Sequence, residues 1–235
     1  MDYESFLELA ERRRSYWEFR PDPIPDAYVE KIVDAARYAP SGFNSQPWEF
    51  VVIVEPELRQ AVAGIIAKHG RPPGPGPGGL PPGAERRGGS PPGPEPRRKD
   101  PMGFKTAPVL IILFGDTRVR DFGPPGMKHD DKRWQSTFTS SLAIAYQYMH
   151  LAATSLGLAS KWVSAVSSPL IEEKLKELLG IPKPFVAYDL MAIGHSDFQP
   201  PPKTLRELSE VLHFGKSSED DFRTEEEVRE HFRRR

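Results

Sequence analysis

The sequence predicts a sandwich of helices around a β-sheet, in the α/β or α+β class. Two observations predict it. Short apolar, β-branched runs alternate along the chain with segments whose apolar residues recur every three to four positions. At 235 residues the chain is also long enough for one substantial core.

Residues 2 to about 14 read as a helix, with Tyr3, Phe6, Leu7 and Ala10 on one side. A second helix begins at Pro25 or Asp26, carries Ile32, Val33 and Ala36, and runs to Ala39, where Pro40 stops it. Glu49 to Val54 is a buried strand, and Leu58 to Lys68 is helical again. From Arg71 to Arg98, eighteen of twenty-eight residues are Pro or Gly. Such a segment buries too little apolar surface to offset its ordering entropy, so a mobile or polyproline-like insertion is expected over 71–101. Its Gly74-Pro75-Gly76-Pro77-Gly78-Gly79 matches a dinucleotide-loop pattern in letters only, because no strand enters it and proline blocks a helix leaving it.

Ala107 to Phe114 is a continuous apolar run and the best strand in the chain. A polar connection over 116–132 leads into the longest helical pattern, Trp134 to Leu156. Leu142, Ala145, Tyr146, Met149 and Ala153 share one face there, which marks the expected central helix. Trp162 and Val163 suggest a strand, Pro169 to Leu179 a helix ended by Gly180, and Phe185 to Ile193 a further strand. Residues 1–215 are read as one domain and 216–235 as a charged tail, in which Thr224 to Phe232 forms a surface helix or an arm on another subunit.

A net charge of -1 and a pI near 6.6 give no general pull toward nucleic acid or an anionic membrane. The absence of cysteine excludes disulfides, thiolate metal sites, iron–sulfur clusters and cysteine nucleophiles. The N-terminus is not a signal peptide, and no run approaches the roughly 18 apolar residues of a membrane span, so a cytoplasmic protein is expected. The six histidines are scattered, and none is read as a metal ligand.

Four local features carry possible chemistry. Arg12-Arg13-Arg14-Ser15 closes the first helix. It either complements the helix's negative end or clamps a phosphate with guanidinium forks and a hydroxyl. Pro40-Ser41-Gly42-Phe43-Asn44-Ser45-Gln46-Pro47-Trp48 is turn-rich, yet a turn needs neither Gln46 nor Trp48; amides beside an aromatic suit a flat heterocycle. Gly157-Leu158-Ala159-Ser160-Lys161-Trp162 follows the long helix, with Gly157 as its cap. Gly194-His195 precedes a proline run and Lys203-Thr204-Leu205-Arg206, two basic residues suited to solvent or to completing a phosphate site.

In their order and separation these elements resemble the FMN-dependent nitroreductase family, over about residues 2–69 and 104–213. The resemblance implies an α+β sandwich with a central, mainly antiparallel sheet flanked by helices. It also implies an intertwined homodimer with FMN at the interface. Arg13, Arg14 and Ser15 are then expected at the FMN phosphate and ribityl chain, with Lys203 and Arg206 completing the pocket. Pro40, Ser41, Asn44 and Gln46 approach the flavin from the partner subunit, and the backbone at Ala159 and Ser160 faces the ring. Two departures stand out. Trp17 occupies a position that is usually basic, so that contact is lost or shifted to Arg12 or Arg20. Gly194-His195-Ser196 also lacks a proline often found there.

The activity so implied is hydride transfer from NAD(P)H to N5 of FMN, then delivery to an electron-poor small molecule, nitroaromatic or quinone-like. The protein supplies position and electrostatics, with no catalytic side chain and no metal. Two rival readings use the same fold: a specialised flavoenzyme (dehalogenase, azoline oxidase or flavin-fragmenting type), and a non-catalytic interaction protein.

Overall fold

The computed structural model describes residues 2–70, 100 and 102–233. The Pro/Gly-rich insertion expected over 71–101 therefore lies, apart from Asp100, outside the described residues. Four strands form one antiparallel sheet: β1 (Trp48–Ile53), β2 (Val109–Asp116), β3 (Ala159–Val163) and β4 (Phe185–Gly194). They are ordered β1-β2-β4-β3. The helices are α1 (Tyr3–Arg12), α2 (Asp26–Arg37), α3 (Pro56–His69), α4 (Val119–Phe122), α5 (Pro125–Lys128), α6 (Asp131–Ser155), α7 (Pro169–Leu179) and α8 (Glu225–Arg233).

The sheet is covered on both sides, which explains why β2 reads as an unbroken apolar run rather than an alternating one. Leu110, Ile112 and Phe114 point into one core with Val62, Ala63 and Ile66 of α3 and Ile171 and Leu175 of α7. Val109, Ile111 and Leu113 point into the other, with Ile32 and Ala36 of α2 and the predicted Leu142, Ala145, Tyr146, Met149 and Ala153 face of α6. The long helix is central in this sense: α2 packs along it and it backs the sheet.

Local signals set the boundaries. Asp2 accepts from Ser5 N at the start of α1, and Asp130 from Arg133 N at the start of α6. Gly157 and Gly180 end α6 and α7 with φ of 74° and 68°, a left-handed turn that costs glycine nothing. Short turns α4 and α5 lie within the connection read only as polar, since four residues carry no helical period. The β2–β4 register shifts between Leu113 and Phe114, because Leu113 faces Asp189 while Phe114 faces Ala187. Tyr188 is the extra residue of this bulge.

By internal contacts the chain forms two units, Met1–Pro200 and Pro201–Arg235. The first holds the sheet and its two cores. The second holds a 3-10 turn at Leu208–Glu210, another at Glu219–Asp221, and α8.

Candidate flavin site

The C-terminal end of α1 delivers the basic triplet to the edge of β3. Arg13 caps the helix through its N–H to Leu9 O (3.1 Å). The chain then extends alongside β3: Ser15 and Ser160 form a parallel bridge, and Tyr16 N donates to Ser160 O (3.1 Å). Ser15, read from a tripeptide near the start, and Ser160, read from a weak late element, are thus neighbours. Ala159 stands beside them as the first residue of β3, paired with Gly194.

Arg13 is half-buried, and its guanidinium makes no hydrogen bond or ion pair among the described residues. Burial, and then the adjacent charge of Arg14, lower its pKa, so the charged form is held at a cost that an incoming anion would relieve. The Ser160 hydroxyl, in turn, is 2.8 Å from Nδ1 of His150 on α6. Burial and the charge of Arg13 push the His150 pKa down to about 3, so the ring is neutral.

Beside Trp17 the structure places another cation. Lys161 is buried on β3 with its Nζ 4.0 Å from the centroid of the Trp17 ring and 5.6 Å from that of Phe104. Burial lowers its pKa to about 8, partly opposed by Asp100. Arg20 is engaged by Asp22 (2.7 Å) and Asp197 (3.1 Å), and Arg12 by Glu8 (4.0 Å).

The Pro40–Trp48 loop is built with unusual backbone. Phe43, Asn44 and Gln46 have φ of 58°, 53° and 44°, a left-handed backbone that asparagine tolerates and that costs Phe43 and Gln46 of order 1–2 kcal/mol each. Hydrogen bonds over-determine the conformation: Gln46 N to Ser41 Oγ (3.0 Å), Asn44 N to Ser41 O (3.0 Å) and Gly42 N to Ser141 Oγ of α6 (3.2 Å). Gly42 also lies so close to α6 that a Cβ there would stand 2.0 Å from Thr137 Cγ2. Asn44 and Gln46 are held exposed, beside a hollow of about 520 Å³ bordered by Phe43, Ser45, Arg118 and Phe122.

The loop is bonded to Ser141 of α6, and Ser160, the neighbour of Ser15, to His150, nine residues further on, or about 13–14 Å along the helix axis. Lys203 and Arg206 belong to the second unit, where Arg206 borders a cavity of about 410 Å³ with its Nε 3.8 Å from Glu210.

Sequence reasoning missed His150 and Lys161. His150 carried a signal, since it lies four residues after Tyr146 on the buried face of α6. Lys161 carried none, because a charge in a five-residue edge strand reads as solvated. Among the described residues no group of His, Asp and Glu could hold a metal ion, and no helix is long and apolar enough to cross a membrane.

Residues 10–195 match the model of the nitroreductase family. The chain belongs to that family. Nitroreductase family members are oxidoreductases, and the antiparallel sheet between helical layers is their fold. A protein of Methanothermobacter thermautotrophicus with the provisional name NADH dehydrogenase/NAD(P)H nitroreductase is 25% identical over 189 residues, 80% of this chain and 76% of that one. Rat iodotyrosine deiodinase 1 is 35% identical over 66 residues, 28% of this chain and 23% of that protein. Among solved structures, an FMN-dependent nitroreductase of Clostridium difficile superposes with a TM-score of 0.63 at 20% identity, covering 90% of this chain and 99% of the other.

Proposed function

We propose that the protein is an FMN-dependent oxidoreductase that passes electrons from NAD(P)H to an electron-poor small molecule, nitroaromatic or quinone-like, and works as a homodimer. The observation that carries this reading is the half-buried Arg13 guanidinium, without a carboxylate among the described residues, next to Arg14 and the exposed Ser15 hydroxyl. A desolvated cation with directed donors around it fits a phosphate dianion better than any group the described chain brings to it. The donor set therefore fits the phosphate end of FMN. Bound FMN would supply the hydride acceptance and electron delivery that no side chain here provides.

In this reading Arg13, Arg14 and Ser15 hold the phosphate, and Lys203 and Arg206 add to it. Ala159 and Ser160 set the edge of β3 against the flavin. Pro40, Ser41, Asn44 and Gln46 belong to the site of the partner subunit, as their separation along α6 supports. Exposed apolar side chains support a second copy as well: Tyr3, Phe6 and Leu7 line an α1 that buries none of its residues, and Trp162 is 55% exposed on β3. A helix with one apolar stripe gains stability only when that stripe is covered.

The deiodinase likeness favours a second reading, a specialised flavoenzyme of the same family that dehalogenates its substrate. One preparation tests both. Purified protein should be yellow, release about one FMN per subunit on denaturation, sediment as a dimer, and oxidise NAD(P)H with a quinone or nitroarene. Bound FMN that nicotinamides reduce poorly would favour the second reading. A colourless protein that takes up no added FMN would overturn both.

A further inference from the structure

His150 is a buried polar group that this function leaves unused. It lies on the inner face of α6, 3% exposed, with its ring edge-on to Tyr146 at 4.8 Å between centroids. Its Nδ1 is engaged by Ser160 Oγ at 2.8 Å, but its Nε2 is fully buried and has no hydrogen-bond partner among the described residues. Buried polar nitrogens are rarely left unpaired, so one that lacks a partner among the described residues calls for a donor close by.

A neutral imidazole has one donor and one acceptor nitrogen. Arg13 stands two residues before Ser15, which pairs with Ser160, the residue that holds Nδ1, and its charge bears on the ring; the tautomer with its proton on Nδ1 leaves a lone pair on Nε2 that can accept from a cation. No ligand atom reaches Nε2 directly, because the atom has no exposed surface. A neighbouring side chain can, and Arg13 has donors to spare.

We propose that His150 is a positioning residue of the flavin phosphate site. Its Nδ1–H donates to Ser160 Oγ, and its Nε2 accepts an N–H of Arg13 when a phosphate engages that arginine. One buried ring thereby ties α6 to both the β3 edge and the clamp. The proposal rests on the FMN reading above and adds a residue to it.

The test uses the apoprotein and two substitutions, His150→Asn and His150→Gln, titrated with FMN and with riboflavin, which lacks the phosphate. An asparagine amide reaches the Nδ1 position and keeps the bond to Ser160, whereas a glutamine amide reaches the Nε2 position. The expected result is an FMN Kd raised about five- to tenfold in His150→Asn, as for the loss of one hydrogen bond, with the riboflavin Kd unchanged. His150→Gln should bind FMN within about threefold of the original protein, as expected when a hydrogen-bonding group is restored at that position. Unchanged FMN binding in His150→Asn, equal losses for FMN and riboflavin, or equal losses in both variants would overturn the proposal. An original protein that binds neither flavin would instead overturn the FMN reading on which it rests.

Discussion

Replacing Arg13 with alanine separates a binding cation from a structural one. The guanidinium is half-buried, beside Arg14, and unpaired among the described residues, so in the apoprotein it contributes desolvation and repulsion without compensation. Its removal should therefore leave the melting temperature of the apoprotein unchanged or slightly raised. With FMN present the balance reverses, because a hydrogen bond to a charged group is worth about 1.5–3 kcal/mol. Converted at 1.4 kcal/mol per decade, Arg13→Ala should weaken FMN binding about 10- to 150-fold. Arg13→Lys should fall between, since an ammonium keeps the charge but not the fork. Quenching of flavin fluorescence on titration into apoprotein reads the affinity, and calorimetry of the apoprotein reads the stability. Affinity within twofold of the original would remove Arg13 from the phosphate site. A large fall in apoprotein stability would show that the residue serves the fold instead.

Three further outcomes follow from the geometry. Burial pushes the Asp189 carboxyl up to about 6, against a stabilising hydrogen bond from Trp162. A carboxyl so raised is at its most favourable below its unfolded value of about 4 and loses stability as pH climbs through 6. Asp189→Asn should thus match the original near pH 4 and exceed it by up to about 3 kcal/mol at pH 7, as two units at 1.36 kcal/mol each imply; a gap in urea denaturation that does not vary with pH would contradict the assignment. Gly103→Ala would place a Cβ 1.6 Å from the Trp17 carbonyl oxygen, a backbone clash that should cost at least about 2 kcal/mol in the same assay. An unaltered midpoint would show that the two segments are not in contact. Ser141→Ala removes the acceptor of the Gly42 N–H, so the Pro40–Trp48 loop should lose about 1–2 kcal/mol of local stability. Hydrogen exchange at Gly42 would report it, and unchanged protection would mean that Ser141 does not anchor the loop.

Much of this protein is legible in its sequence because the signals are local. The five-residue inner face of α6 and the stop at Gly180 stand where they were read, while the β2 run lies two residues later, at Val109–Asp116, and α2 ends at Arg37, two residues before the expected Ala39; each depends on residues within a few turns of one another. The motif order was enough to indicate the family, since the loop and the basic triplet keep their residue types wherever the rest of the chain goes. The alternation of elements could not choose between parallel and antiparallel pairing, because strands buried on both faces look alike in either.

What only the tertiary structure decided concerns groups far apart in sequence. It joined Ser15 to Ser160, set His150 against the Ser160 hydroxyl, and brought the Lys161 ammonium onto Trp17, where the sequence showed only a missing basic residue. It also held Phe43 and Gln46 beside Asn44 in left-handed backbone, which only asparagine among the three favours, because α6 fixes the loop from outside. The sequence by itself determined which residue types were present for a phosphate and a flat ring. Only the fold determined which of them stand side by side, because proximity across a sheet and a 25-residue helix is set by packing and not by spacing along the chain.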